Sequence, residues 1–331
     1  MGNCFGTQSK SAGGIAPSDM VNSRPAIKLY GQQDSSATSH IRFALLYKPV
    51  ALQFVPSEAH QNPTLIYKSD VVSGSAEEIL RYLDAKFPDP PLVVAGDTTA
   101  SRSSIWGWCG ENTPTVVWVA QLQHRSITFH LERMVRWAED IAARGGNARG
   151  DPSMGSPRME VKKFAKEYSQ LLQVMLEHAQ MEERVLFPIL ESADPGLCKD
   201  ANEEHARHLP MMNGIKEEIK VIGVMNSGSP DYQEGLDNLS SRLFQLKENC
   251  KQHFEEEEKD LLPLMEATEL NKSQQAKVLE QSLDVMRDTH SHLFRFFMDG
   301  LRPHDAVQYF GLIKKYCNGI RVSLMLHMMF D

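Results

Sequence analysis

The sequence predicts an α+β protein, with a small α/β domain ahead of an up-down four-helix bundle and further helices after it. Three observations predict this. Residues 26–87 alternate short strand-like runs with stretches of helical periodicity. Beyond residue 114 the chain consists of long segments whose apolar residues recur in steps of three and four, the period of a core-facing helix. Two of those segments repeat a motif, HxxxEExxLxP, at His178–Pro188 and at His253–Pro263.

The chain has 331 residues, enough for more than one domain. At 41% hydrophobic and 24% charged, its composition is that of a globular protein. A net charge of −8 argues against nucleic acid as a partner, because phosphate binding needs a basic face. The five cysteines are scattered, odd in number and without CxxC spacing, so a reducing, cytoplasmic setting is expected. No apolar run reaches the length of a bilayer span, and the N-terminus lacks a secretory apolar segment.

Residues 1–25 are rich in Ser, Gly and Ala and read as a disordered tail. The tail opens Met1-Gly2-Asn3-Cys4. Gly2 is the acceptor position for myristate, and Cys4 beside it suits palmitate. The Ser or Thr of the usual pattern falls at Thr7, with Gly6 in its customary place. A single myristoyl chain binds membranes marginally and a second acyl group makes a stable anchor. Attachment to the inner face of the plasma membrane is therefore expected.

Within 26–87, Ile27–Tyr30, Val50–Val55 and Thr64–Tyr67 read as strands, and Ser39–Tyr47 and Ala76–Lys86 as helices. Residues 88–113, with their Pro, Gly and Ser clusters, read as a linker. Breaks at 144–158, 194–200 and 226–230 divide the rest, 114–331, into helices at 116–143, 159–191, 201–223 and 231–262. Two further helical stretches are expected at 272–300 and 303–330.

The chemistry lies in what interrupts the apolar stripes. The first runs Val117, Ala120, His124, Ile127, Leu131, Met134, Ala138, Ile141. The second runs Leu171, Val174, His178, Glu182, Val185, Ile189. The third runs His205, then His208 or Leu209, then Met212, Ile215, Ile219, Ile222. The fourth runs Leu239, Leu243, Leu246, Cys250, His253, Glu257, Leu261. Each stripe carries a His where an apolar residue belongs, and two add a Glu one turn later on the same face. Buried carboxylates cost several kcal/mol unless paired or metal-bound. One shared cation would satisfy all of these groups, and imidazole with carboxylate suits iron, zinc or manganese. His130 falls off the first stripe and reads as a hydrogen-bonded core residue. His290, His292, His304 and His327 lie outside the pattern and read as structural or surface residues.

The doubled HxxxEExxLxP, with a lone His on the helix before each copy, resembles the hemerythrin-like, or HHE cation-binding, domain. His124-Arg-Ser-Ile127 with Leu131, and Glu203-Glu204-His205, are similar to that family's first and third helices. The resemblance implies a carboxylate-bridged pair of non-haem irons with His124, His178, Glu182, His205, His253 and Glu257 as ligands. Where the family can place a second His on the third helix, this chain has Leu209, with His208 one position earlier. Each motif Pro, at 188 and 263, is expected to end its helix.

Leu29-Tyr30-Gly31, Ser35 and Ile41–Leu45 resemble the start of a glutathione transferase thioredoxin-like domain. Asn62-Pro63-Thr64-Leu65-Ile66 resembles that family's cis-proline strand, and Ile79–Asp84 the helix after it. The resemblance implies Ser35 and Pro63 as glutathione-contacting residues. The Glu-Ser pair that holds the γ-glutamyl group is replaced by Ser75-Ala76.

The expected function is iron binding for oxygen, redox or iron sensing, with no catalytic residue assigned. Expected partners are the metal ion, O₂, a membrane surface reached through acyl chains, and a protein that the sequence does not identify. One alternative is a glutathione-dependent transferase or peroxidase using Ser35. Another is an adaptor in which the metal only braces the bundle.

Overall fold

The structure is a computed structural model that describes residues 25–59, 62–93, 113–147, 155–315 and 319–330. Gly2 and Cys4 lie outside the described residues.

Strand β1 (Ala26–Gly31) buries Ile27 and Leu29 and exposes Lys28, the alternation of a strand with one covered face. It pairs parallel with β2 (Ala51–Pro56) and antiparallel with β3 (Thr64–Tyr67). A fourth strand, β4 (Asp70–Ser73), pairs antiparallel with β3, giving the order β2-β1-β3-β4. The sequence reading missed β4, whose four residues include a Val71 that is 65% exposed and so carry little apolar signal. Helices α1 (Ser36–Leu45) and α2 (Ala76–Lys86) pack on each other and bury Ile41, Ile79 and Leu83 in the core that holds Leu29 and Leu65.

Residues 90–93, near the start of the expected linker, contact the α/β unit. Lys48 is buried and donates to Asp84 Oδ1 (2.7 Å) and to the carbonyls of Phe87 and Pro90. The Asp84 carboxylate also accepts from the backbone N–H groups of Leu92 and Val93. A buried cation needs this shell, which holds Pro90, Leu92 and Val93 against the α/β unit.

The bundle comprises α3 (Thr115–Arg144), α4 (Pro157–Met181), α6 (Lys199–Ile222) and α7 (Pro230–Glu256). Helix α3 packs on α4 and α7, and α6 packs on those same two, closing a four-membered up-down ring. Ser156 and Ser229 cap α4 and α7, each followed by Pro at the first helical position, where the missing N–H costs nothing.

Pro188 does not end its helix, which corrects the reading from the motif, and Pro263 marks a change to a 3₁₀ segment rather than a break in the chain's helical course. Helix α4 passes through a π-helical turn at Glu182–Leu186 into α5 (Phe187–Ala193). Helix α7 passes through a π-helical turn at Glu257–Leu261 into a 3₁₀ segment, Leu262–Thr268. The wider turn shifts the hydrogen-bond register just ahead of each proline, so the lost N–H and the ring clash are absorbed. Each π turn starts on the Glu that follows the motif His by one turn.

The stretch 272–300 is likewise two helices, α8 (Lys272–Val285) and α9 (Phe294–Asp299). The buried Glu177 carboxylate holds the break between them, accepting from Asp288 N, Thr289 N and Thr289 Oγ1 at 2.7–3.0 Å. Helices α10 (Pro303–Lys314) and α11 (Gly319–Phe330) complete the chain. They join the two units: α1 packs on both, Phe43 stacks on Phe310 at 4.5 Å, and His40 Nε2–H donates to the Val307 carbonyl (3.1 Å). Among the described residues, no helix is long and apolar enough to cross a membrane.

Candidate metal centre

The stripes place His124, His178, His205 and His253 on four different helices, and the packing brings them together at one level of the bundle. Glu182 and Glu257 reach the same level because each opens a π turn one helical turn beyond its motif His. All six residues are buried.

Their donor atoms form two groups. In the first, Glu182 Oε1 lies 3.3 Å from His178 Nε2 and 3.5 Å from His124 Nε2, and Glu257 Oε2 lies 3.5 Å from His124 Nε2. In the second, Glu182 Oε2 lies 3.5 Å from His205 Nε2, and Glu257 Oε1 lies 3.4 Å from His253 Nε2. Each carboxylate thus gives one oxygen to each group.

The outer nitrogen of every imidazole is occupied. Nδ1 faces Glu258 in His124 (2.9 Å), Gln123 Oε1 in His178 (3.0 Å), Glu183 in His205 (3.0 Å) and Glu204 in His253 (2.6 Å). Donation from Nδ1–H leaves an Nε2 lone pair pointing inward, the arrangement by which partners fix a ligand tautomer. The second Glu of each motif therefore has its own use: Glu183 backs His205, and Glu258 backs His124, across the bundle.

What remains inside is a set of buried acceptors without donors. His178 Nε2, Glu182 Oε2 and both oxygens of Glu257 have no hydrogen-bond partner. His205 Nε2 and His253 Nε2 approach to 2.9 Å with their N–H groups committed outward. Facing lone pairs and carboxylates at this spacing call for cations between them. The donor set, borderline nitrogen with hard oxygen and no sulfur, fits a first-row metal. The residues present therefore fit a metal centre.

Without a cation the protein distributes charge unevenly. Burial, the largest influence, pulls His178 and His253 down to about 3. His124 is also pulled down by burial, but Glu182 and Glu258 overcome it and hold the imidazole at about 10. Burial pushes Glu182 up, yet the surrounding imidazoles win and bring it to about 2. Burial and the Glu182 charge push Glu257 well above the ordinary carboxylate range. Two carboxylates facing one site are thus pushed apart in their acidity.

His130 is not part of the cluster: its Nε2–H donates to the Phe296 carbonyl (2.8 Å) and its ring stacks on Phe296. On α6, His208 faces inward, edge-on to His253 at 5.5 Å, while Leu209 is 44% exposed. His290 is buried and hydrogen-bonded to Met286 O and Tyr309 OH.

In the α/β unit, Ser35 is the N-cap of α1, its hydroxyl accepting from Thr38 N (3.4 Å). The one cis peptide bond among the described residues joins Asp89 and Pro90. The bond before Pro63 is trans, so the resemblance to a cis-proline strand stops at the sequence; Pro63 O instead pairs with Gly74 N across the β3–β4 hairpin. Ser75 caps α2 in a capping box with Glu78.

The motif's paired Glu residues and Glu203-Glu204-His205 held the signal for the outer partners Glu183, Glu204 and Glu258. Nothing in the periodicity marked Gln123, which stands next to His124 yet serves His178. Compared with known families, residues 119–231 match the model of the hemerythrin HHE cation binding domain. The match covers α3 through α6 and the start of α7; the second motif copy lies beyond it and is brought to the centre by the fold. No curated protein matches the chain.

Proposed function

We propose that this chain, whose residues 119–231 match the hemerythrin HHE cation binding domain, binds metal, and that the metal is a pair of irons bridged by Glu182 and Glu257. The observation that carries this reading is the split of the two carboxylates, each with one oxygen in either group of donors. His124 and His178 would hold one ion, His205 and His253 the other. When bound, such a pair supplies redox chemistry toward dioxygen.

The chain's own residues favour a sensor. Phe254 stacks on His124 (4.2 Å) and Phe187 on His205 (5.8 Å), packing an apolar ring against each half of the centre. A cavity of about 30 Å³ lies against the centre, bordered by Met175, Met212, Cys250 and His208. A cavity needs about 10–15 Å³ of such space to hold one water, so this one has room for a diatomic molecule. The four imidazoles come from four helices, so a bound metal would tie those helices to one point. The bundle contacts α10, and α10 contacts the α/β unit, which would carry the state outward. Acylation at Gly2 and Cys4 would place this device at the cytoplasmic face of the plasma membrane.

Anaerobic loading of metal-free protein with Fe(II) tests the bridge. Glu182→Ala removes one oxygen from each group, so a bridging role predicts that both ions weaken together. Loss of one ion with the other unchanged would refute it.

A further inference from the structure

We propose that the two halves of the centre are unequal. The half made by His124 and His178 exchanges its ion, the half made by His205 and His253 retains it, and an acidic cleft beside His124 is the loading route. The inference rests on the two-ion reading above. Two separate observations carry it.

The first is what stands behind each imidazole. A ligand His whose far N–H donates to a carboxylate is the more basic, tighter ligand. In the His205–His253 half both have one, Glu183 and Glu204. In the other half only His124 does, through Glu258. His178 donates instead to the neutral amide oxygen of Gln123. That amide is locked by a buried chain of hydrogen bonds. The Met286 carbonyl can only accept, so His290 Nδ1 carries the proton (2.7 Å) and His290 Nε2 accepts. The Tyr309 hydroxyl must then donate to His290 Nε2 (2.7 Å). Its lone pair accepts from Gln123 Nε2 (3.2 Å), which leaves Gln123 Oε1 facing His178. The amide orientation follows from the network. The neutral backing is thus built into the packing of α3 against the C-terminal helices.

The second observation is access. A solvent-open cleft of about 810 Å³ lies between α3, α7 and the turn after α9, with His124 and Glu258 in its wall. Its lining carries five carboxylates against three Arg and Lys side chains. Arg125 pairs with Asp305 at 2.8 Å and Lys251 with Glu255 at 3.8 Å, which leaves Glu132, Glu258 and Asp299 facing the cleft against Arg302. Such a wall attracts a divalent cation. Glu132, Glu255 and Asp299 lie along it, and Glu258 already touches His124 Nδ1.

The test uses full-length, metal-stripped protein titrated anaerobically with Fe(II), followed by calorimetry and then by challenge with a ferrous chelator. Two binding steps at least tenfold apart are expected, with the weaker ion leaving first. Removing an outer partner weakens a metal by about 10- to 100-fold. Glu258→Gln should therefore weaken only the weaker step, and Glu204→Gln only the stronger. Gln123→Glu should draw the weaker step toward the stronger. Where that buried charge prevents folding, Tyr309→Phe, which unlocks the amide and keeps the ring, should weaken the weaker step alone. Two ions bound with one affinity would overturn the inference while leaving the two-ion reading intact. So would Glu258→Gln acting on the stronger step. A wild type that takes a single ion would overturn the two-ion reading, and this inference with it.

Discussion

Glu257→Gln should be nearly silent in the metal-free protein and should abolish metal binding. Neither oxygen of Glu257 receives a hydrogen bond from the protein, and the residue is 2% exposed. Burial and the Glu182 charge raise its acid well above the ordinary range, which favours the neutral acid in the metal-free protein. Glutamine has the same shape and is also neutral. The exchange should cost no more than about 1 kcal/mol, against a usual range of roughly 0.5–3 for point changes. With metal the balance reverses, because an amide cannot supply an anionic oxygen to each half. A ligand present at about 1,000 times its Kd stabilises the fold by about 4 kcal/mol. At roughly 2–4 °C per kcal/mol for a unit of this size, that is a shift of about 10 °C. Scanning calorimetry with and without Fe(II) reads both states. The wild type should gain the shift, the variant should not, and the metal-free curves should agree within about 4 °C. A variant that keeps the shift would refute the bridging role. A metal-free variant destabilised by about 3 kcal/mol or more would refute the neutral acid.

His178→Ala and His253→Ala should each lower the metal content by metal analysis, while His130→Ala should keep its metal and lose about 1–3 kcal/mol for the freed Phe296 carbonyl. His130→Ala without metal, beside a His124→Ala that retains it, would contradict the assignment on α3. Acid should loosen the C-terminal layer. Burial holds His40 and His130 at about 3, helped by Lys314 and Arg133 respectively, and burial holds His290 at about 4. These folded values lie below the 6.5 of the unfolded chain, so stability is full above about pH 6.5 and falls as the unfolded chain takes up protons below it. Three such groups lower it by about 4 kcal/mol per pH unit between about 6 and 4.5. Urea unfolding of metal-free protein at pH 7, 6 and 5 checks this, and a flat profile would contradict it. Gly2→Ala should move the protein from membranes to the soluble fraction, and unchanged fractionation would exclude the anchor. Titration calorimetry of the whole chain with glutathione should give weak or no heat, because the Ser35 hydroxyl already caps α1 and Ala76 offers no hydrogen bond. Tight binding that Ser35→Ala removes would contradict this.

The bundle and its six inward residues were legible in the sequence because helical periodicity turns burial into spacing. A His or Glu in an apolar stripe has nowhere to hide, and two copies of one motif exclude accident. The Leu209–His208 alternative stayed open there because both lie within the angular width of a buried stripe; packing of α6 turned His208 inward. The prolines misled for a local reason. In an α-helix they stop the ladder, and only the π turns at Glu182 and Glu257 allow it to continue. A change of register leaves no trace in hydrophobic spacing. The four-residue strand β4, the break at Met286–Leu293 and the Lys48 shell were invisible because each depends on partners distant in sequence. The role of Gln123 was hidden for the same reason, since it is fixed from Tyr309, 186 residues away.

The central claim is two ions held by one shared pair of carboxylates. Metal analysis of full-length protein, expressed and purified with iron available, tests it most directly. The account predicts about two irons per chain, as a two-metal site requires, both lost in Glu182→Ala. Stoichiometric zinc with no iron, or one iron that survives Glu182→Ala, would contradict it.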